Sequence, residues 1–428
     1  MKFTRTMAAL ATASAGLALA SPALAQYGST APKPQAAPAP AAPAGAAAET
    51  PGRKYDISAQ ARKEIVALQA AVNSKNTAAI PAALAAAQAK AKTGDDKYII
   101  AQLQLRAAVD ANDTPGMIQG LDALIASGTV PTAETPTILN NLGKLQYNAK
   151  AYDKAQAAFN QSLQADPNNV EAMVMLAETR NSMGNPAEAV SLIQKAIAVR
   201  TSAGQKAEEA WYKRGVALAY NSKLPIAAPL ARDWVAAYPN PKNWRDAIRI
   251  YQTNSGLDDA ALLDTMRLAQ AANALTGEND YFRFANTLVG KGYPGEAKTV
   301  LDQGFAAKSI DKSRPTFSQL YAAAVAKSQG DRASLAGAAT AALAAPDARK
   351  AMVTADAYYG YGDYSKAAEL YRAALTKSGV DKDLANLRLG MSLARAGDKA
   401  GATAALNAAG GAQVEVAKFW LTYLATNA

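Results

Sequence analysis

From Tyr55 onward, apolar residues recur at three- and four-residue intervals rather than in alternation, and turn signals interrupt them every fifteen to twenty residues. That period places apolar side chains on one face of a helix. "ISAQARKEIVALQAAV" and "AAIPAALAAAQAKA" read as two amphipathic helices joined at 73–76, and similar pairs follow one another along the chain. About ten pairs are predicted, beginning near 61, 98, 136, 170, 208, 243, 278, 316, 348 and 383. A last helix, "VEVAKFWLTYLATN", is expected to cover the open end of the stack, since a terminal repeat has no neighbour to bury its apolar face.

The pairs share a spacing. Gly143 is followed twelve residues later by Ala155, then by Phe159, Ser162 and Pro167. Thirty-four residues on, the same places hold Ala177, Ala189, Ile193, Ala196 and Thr201; Trp211, Gly215, Ala227 and Pro239 keep the spacing in a third unit. Near the C-terminus Ala355, Gly362, Ala367, Tyr371 and Ala374 recur, then Gly390, Gly397, Ala402, Leu406 and Ala409. Two antiparallel helices that cross closely need small residues where their backbones approach, which places Gly143 opposite Ala155. Phe159 fills the space one turn later, and Pro167 cannot continue the helix.

This pattern resembles the tetratricopeptide repeat family, most clearly at Leu139, Leu142, Gly143, Ala155, Phe159, Pro167, Met173, Leu176, Ala177, Ala189 and Ala196. Clear matches cover about half of the chain beyond its first segment. The resemblance implies an all-α fold: a right-handed α-solenoid of about ten helix pairs, with a concave groove that binds a partner protein and no catalytic role. On that reading, degenerate repeats occupy 55–135, well-matched units 136–241, degenerate and matched repeats 242–347, further units 348–412, and a capping helix 413–428. Carried over residue by residue, the groove-facing candidates are Asn140, Lys144 and Tyr147 in one unit. Val174, Glu178 and Asn181 follow in the next, and Tyr212, Val216 and Tyr220 in the third. Some family members grip a C-terminal carboxylate with Lys, Asn and Arg. Here Asn140 and Lys144 stand in the reverse arrangement, and Glu178 and Glu209 place negative charge where such a clamp avoids it.

The first residues break the helical-pair pattern. Lys2 and Arg5 precede an apolar stretch from Met7 to Ala20, and Ala23-Leu24-Ala25 supplies the small residues that a signal peptidase reads. Residues 1–25 are therefore expected to be a cleaved export signal, with the mature chain starting near Gln26 in the periplasm or outside the cell. The apolar stretch is too short to span a bilayer comfortably, and stable membrane insertion is not expected. Residues 26–54 are rich in Ala and Pro, including Pro32, Pro34, Pro38, Pro40, Pro43 and Pro51, and read as an extended tether.

Composition narrows the chemistry. The 428 residues contain no cysteine and no histidine, which removes thiolate chemistry, disulfides, the usual general base and the commonest metal ligand. No cofactor or metal is expected. The formal net charge of +10 favours anionic envelope polysaccharides or acidic protein surfaces; nucleic acid is not an expected partner of an exported chain. "GKGYPG" at 290–295 satisfies G-x-G-x-x-G but follows a helix rather than a strand, so it reads as a hairpin turn. The acidic pairs Asp95-Asp96, Glu208-Glu209 and Asp258-Asp259 sit where helices begin and suit capping. Trp211, Trp234 and Trp244 fall among Tyr212, Tyr220, Tyr238, Tyr251 and several basic residues. Zone 211–251 thus supports a second reading, a polysaccharide- or peptidoglycan-binding surface, beside interhelical packing.

Overall fold

The structure, a computed structural model, describes residues 53–427. The expected export signal and the tether up to residue 52 lie outside the described residues. Among the described residues there are twenty α-helices and one short 3-10 turn, and the β-type pairing is a single bridge between Asp347 and Ser378. Two compact units divide at Val199 and Arg200. Each is an α-solenoid of stacked helix pairs. No described helix is long and apolar enough to cross a membrane.

The first unit contains α1 (Ala59–Asn73), α2 (Ile80–Lys90), α3 (Gly94–Asp110), α4 (Thr114–Ala126), α5 (Thr135–Asn148), α6 (Tyr152–Ala165) and α7 (Val170–Ser182). Helix α8 (Pro186–Ser202) begins in it. Sequence neighbours pack together, and first helices of successive pairs also touch, as α5 does α7. Local chemistry sets the boundaries. Thr93 and Asp96 form a capping box at the start of α3, and Asp96 also accepts from the Ser58 hydroxyl at 2.7 Å, tying the start of α1 to α3. Asp95 pairs with Arg53 at 2.6 Å, so this acidic pair is spent on structure. In "ADPNN", Asp166 accepts from the Asn168 amide and Asn169 caps α7 through the Ala172 amide.

Gly143 answers to Phe159 rather than to Ala155: a Cβ on Gly143 would lie 2.6 Å from the Phe159 ring. The same relation recurs at the far end of the chain, where a Cβ on Gly390 would lie 2.5 Å from Leu406. Several hairpins turn through a left-handed residue that carries a side chain, among them Lys75, Asn112 and Lys150 (φ 59°). That conformation crowds Cβ against the following carbonyl. Replacing Lys150 with Gly is expected to raise stability by about 0.5–1 kcal/mol, read as an upward shift of the urea midpoint at unchanged slope.

The second unit runs through α9 (Glu209–Asn221), α10 (Ala227–Ala237), α11 (Pro241–Asn254), α12 (Asp259–Ala271), α13 (Gly277–Lys291) and α14 (Pro294–Ala306). A single helix, α15 (Pro315–Ala344), follows, then α16 (Arg349–Gly360), α17 (Tyr364–Leu375), α18 (Lys382–Ala396), α19 (Lys399–Asn407) and α20 (Val414–Thr426). The pair expected from 316 is thus one helix of 30 residues, and nine pairs remain. The neighbouring hairpins stop at a glycine with positive φ, such as Gly292 and Gly362, whereas Gly330 stays helical and the next proline, Pro346, comes only after the helix has ended. Tyr361 also holds the middle of α15, donating to the Ser328 carbonyl at 3.0 Å or the Asp331 carboxylate at 2.9 Å. Helix α20 packs on α18 and α19, and it reaches back to α10 and α11 as well. Glu415 meets Arg232 at 2.7 Å, and Phe419 lies 6.4 Å from the Trp244 ring, so the beginning and end of the unit meet.

Candidate functional site

Six of the nine groove candidates lie on α5 and α7, two helices in contact, and all of the six but Asn140 are half-buried on the surface that the pair forms. Asn140 is buried and donates to Asn169 at 3.1 Å and Glu171 at 3.4 Å. Lys144, one turn on, pairs with Glu171. Tyr147, a further turn on, is half-buried, rests against Tyr152 at 5.5 Å and shares a 3.3 Å hydrogen bond with Ser182. Glu178 and Asn181 continue the surface on α7, both half-buried. Asn169, Glu171 and Ser182, which complete this surface, escaped the sequence reading. Asn169 carried a usable signal: it stands just before a helix, where Asn caps and its side chain faces back toward the preceding pair.

The second unit holds the other three candidates and corrects two of them. Tyr212 is 5% exposed and packs edge-on against Tyr238 at 5.9 Å, and Val216 is 3% exposed. Both are core residues, because α9 turns this face into its own packing. Tyr220 is half-buried at the end of α9.

The same packing removes the aromatic surface expected at 211–251. Trp211, Trp234 and Trp244 are all buried. The Trp234 indole donates to Glu209 at 3.1 Å, and Asn243 donates to the same carboxylate at 2.8 Å. Lys213, Trp234 and Asn243 together outweigh desolvation and hold the Glu209 carboxyl below its ordinary range, with the Lys213 contact the largest influence. Trp244 and Tyr251 lie under Phe419 of α20. No tryptophan in this zone offers a free ring face to a sugar.

A cluster of charge that the sequence concealed lies in the core of the second unit. Arg267 of α12 grips Glu296 through two bonds of 2.9 and 2.8 Å, and also meets Asp264 at 3.1 Å and Asp356 at 3.2 Å. Arg388 of α18 joins Asp264 at 3.2 Å and Asp356 at 2.8 Å. Tyr371 and Tyr293 donate their hydroxyls to Asp356 at 2.6 and 3.0 Å. All five charged groups are buried. Burial alone would raise the Asp356 carboxyl; Arg388, Arg267 and the two hydroxyls overcome it and hold that carboxyl below its ordinary value. Each carboxylate is held by an arginine and closed to solvent, so none of them is placed as an acid or base for a substrate. Among the described residues no group of His, Cys, Asp or Glu is arranged to hold a metal ion.

A tetratricopeptide repeat family model matches residues 147–205, a stretch that begins within α5 and ends just beyond α8. Residues 147–205 are thus a tetratricopeptide-repeat segment. No curated protein matches it in sequence. Among solved structures it is similar to pilF of Pseudomonas aeruginosa, with 16% identity, coverage of 61% of this chain and 97% of that one, and a TM-score of 0.26. It is similar also to a tetratricopeptide repeat protein from Parabacteroides merdae, with 16% identity, 77% and 99% coverage, and a TM-score of 0.27. A third similarity is to Naa15/Naa10 bound to HypK-THB, with 14% identity, 82% and 65% coverage, and a TM-score of 0.25. Tetratricopeptide repeats are in general scaffolds for protein–protein interaction.

Proposed function

We propose that the protein is an exported, non-enzymatic adaptor that binds a partner protein on the α5–α7 surface and serves envelope assembly or secretion. The observation that carries this reading is the side-by-side packing of α5 and α7. It draws Lys144, Tyr147, Glu178 and Asn181 into one half-exposed polar and aromatic strip. Such a strip suits an extended segment or a helix laid across successive repeats. The test places a photoreactive phenylalanine analogue at Tyr147, and in a second protein at Gln161, an exposed position on α6. One defined protein crosslinked from 147 and absent from 161 is the expected result. Equal labelling from both positions defeats the assignment of this surface.

Export is supported by Lys2, Arg5, the apolar stretch 7–20 and Ala23-Leu24-Ala25. The expected outcome is a mature chain that begins at Gln26, read by the intact mass of protein recovered from the envelope fraction. A full-length mass recovered from the cytosol defeats it.

A further inference from the structure

The connection between α14 and α15 borders an open cleft of about 450 Å³ in the second unit, lined by Glu278, Phe305, Lys308, Ser309, Ile310, Asp311 and Lys312. That volume lies within the range of small-ligand sites, about 300–1,000 Å³. The two acids of the lining are already engaged. Glu278 pairs with Arg314, and Asp311 accepts from the Ser313 amide and hydroxyl, each at 2.8 Å. Neither lysine has a carboxylate partner among the described residues. The Lys312 ammonium instead sits 4.3 Å from the centroid of Tyr321 and 5.8 Å from that of Phe305, a contact that holds the cation beside the cleft. Lys308 is exposed and stands in the left-handed conformation (φ 52°), which glycine would adopt at less cost.

We infer that this cleft binds an oligosaccharide bearing uronic acids, with sugar carboxylates paired to Lys308 and Lys312 and the apolar face of a pyranose ring laid against Phe305. Three features select this ligand. Lys308 and Lys312 are the charges of the lining left without an ionic partner among the described residues, and they sit in a unit that carries 28 Lys and Arg against 21 Asp and Glu, +7 by difference. A half-buried aromatic ring gives a sugar a flat apolar surface that a bare anion would not use. The backbone of the loop offers a peptide little: the amides of Lys308, Ser309 and Ile310 are spent on Phe305 and Gly304 carbonyls at 3.0, 3.0 and 3.4 Å. An acidic peptide would therefore leave its own backbone groups unmatched, whereas sugar hydroxyls remain free to water.

The test is calorimetric titration of the full chain at low salt with tetragalacturonate, maltotetraose and tetraglutamate in parallel. Tetragalacturonate is expected to bind, maltotetraose to give no binding, and tetraglutamate to bind about tenfold more weakly than the uronate. The variant Lys308→Gly/Lys312→Gln is expected to lose about tenfold or more in affinity for tetragalacturonate while melting at or above the temperature of the parent, since Lys308→Gly also relieves the left-handed turn. Undiminished binding to the variant, absence of uronate binding to the parent, or equal binding of tetraglutamate overturns the inference. The last of these would make the cleft an acceptor of negative charge from peptides. Because the cleft is remote in sequence from 140–181, its failure leaves the α5–α7 reading intact.

Discussion

Replacing Asp356 with Ala is expected to cost the second unit about 3–5 kcal/mol, the usual penalty for removing one partner from a buried charge cluster. The deletion strips Arg388 of its 2.8 Å contact, leaves the buried Tyr371 hydroxyl without an acceptor and takes the half-buried Tyr293 hydroxyl's partner away. Arg267 keeps Glu296 and Asp264, so the loss falls mainly on the junction of α16, α17 and α18. Urea unfolding followed by circular dichroism reads the effect. The pH dependence has a definite sign. The folded Asp356 carboxyl titrates below its unfolded value near 3.9, so its contribution is fully present above about pH 4 and is lost as pH falls through the folded pKa. Asp356→Asn should therefore be less stable than the parent near neutrality and show a flatter loss of stability on acidification. An acid profile parallel to that of the parent would mean that the aspartate contributes nothing through its charge.

Removing the Phe159 ring is the second large effect. Phe159 is fully buried between α5 and its neighbours, and Phe159→Ala is expected to lose about 3–5 kcal/mol from transfer and cavity terms together. The same ring reverses the usual effect of a helical glycine. In an exposed helix Gly→Ala gains about 1 kcal/mol, but at Gly143 the new methyl would stand 2.6 Å from the Phe159 ring. Gly143→Ala should therefore destabilise the parent, and it should stabilise the Phe159→Ala background, where the methyl falls into the vacated space. A double-mutant cycle measures the difference. Additive effects would show that the two residues do not share the space that their positions define.

Periodic residues made most of the fold legible. Gly143, Phe159, Pro167 and their counterparts act through local helix packing, which recurs at a fixed spacing and so leaves a readable trace. Helix α15 was not legible, because the segment keeps the length of a pair and lacks only the backbone reversal that makes one. The charge cluster was hidden for a different reason. Asp264, Glu296, Asp356 and Arg388 come from four separate helices, and pairs drawn from adjacent residues could not assemble them. Arg267 beside Asp264 in "ALLDTMRLA" was the visible clue, two charges inside an apolar helix. Among the groove candidates, Lys144, Tyr147, Glu178 and Asn181 fell on one surface because neighbouring repeats stack in register, while Asn140 turned inward. Tyr212 and Val216 did not, since a family position fixes a direction from the helix and not what lies beyond it.

The contact of α20 with α10 and α11 bears on how the chain is made. Glu415 and Arg232 are separated by 183 positions, and Phe419 covers Trp244 and Tyr251 from a similar distance. Contacts so remote in sequence form late. The first unit has its neighbours beside it as synthesis proceeds, and can settle pair by pair. The second must wait for its last dozen residues before those aromatic rings leave water, so any chain released early presents them as an unfinished surface to chaperones and proteases.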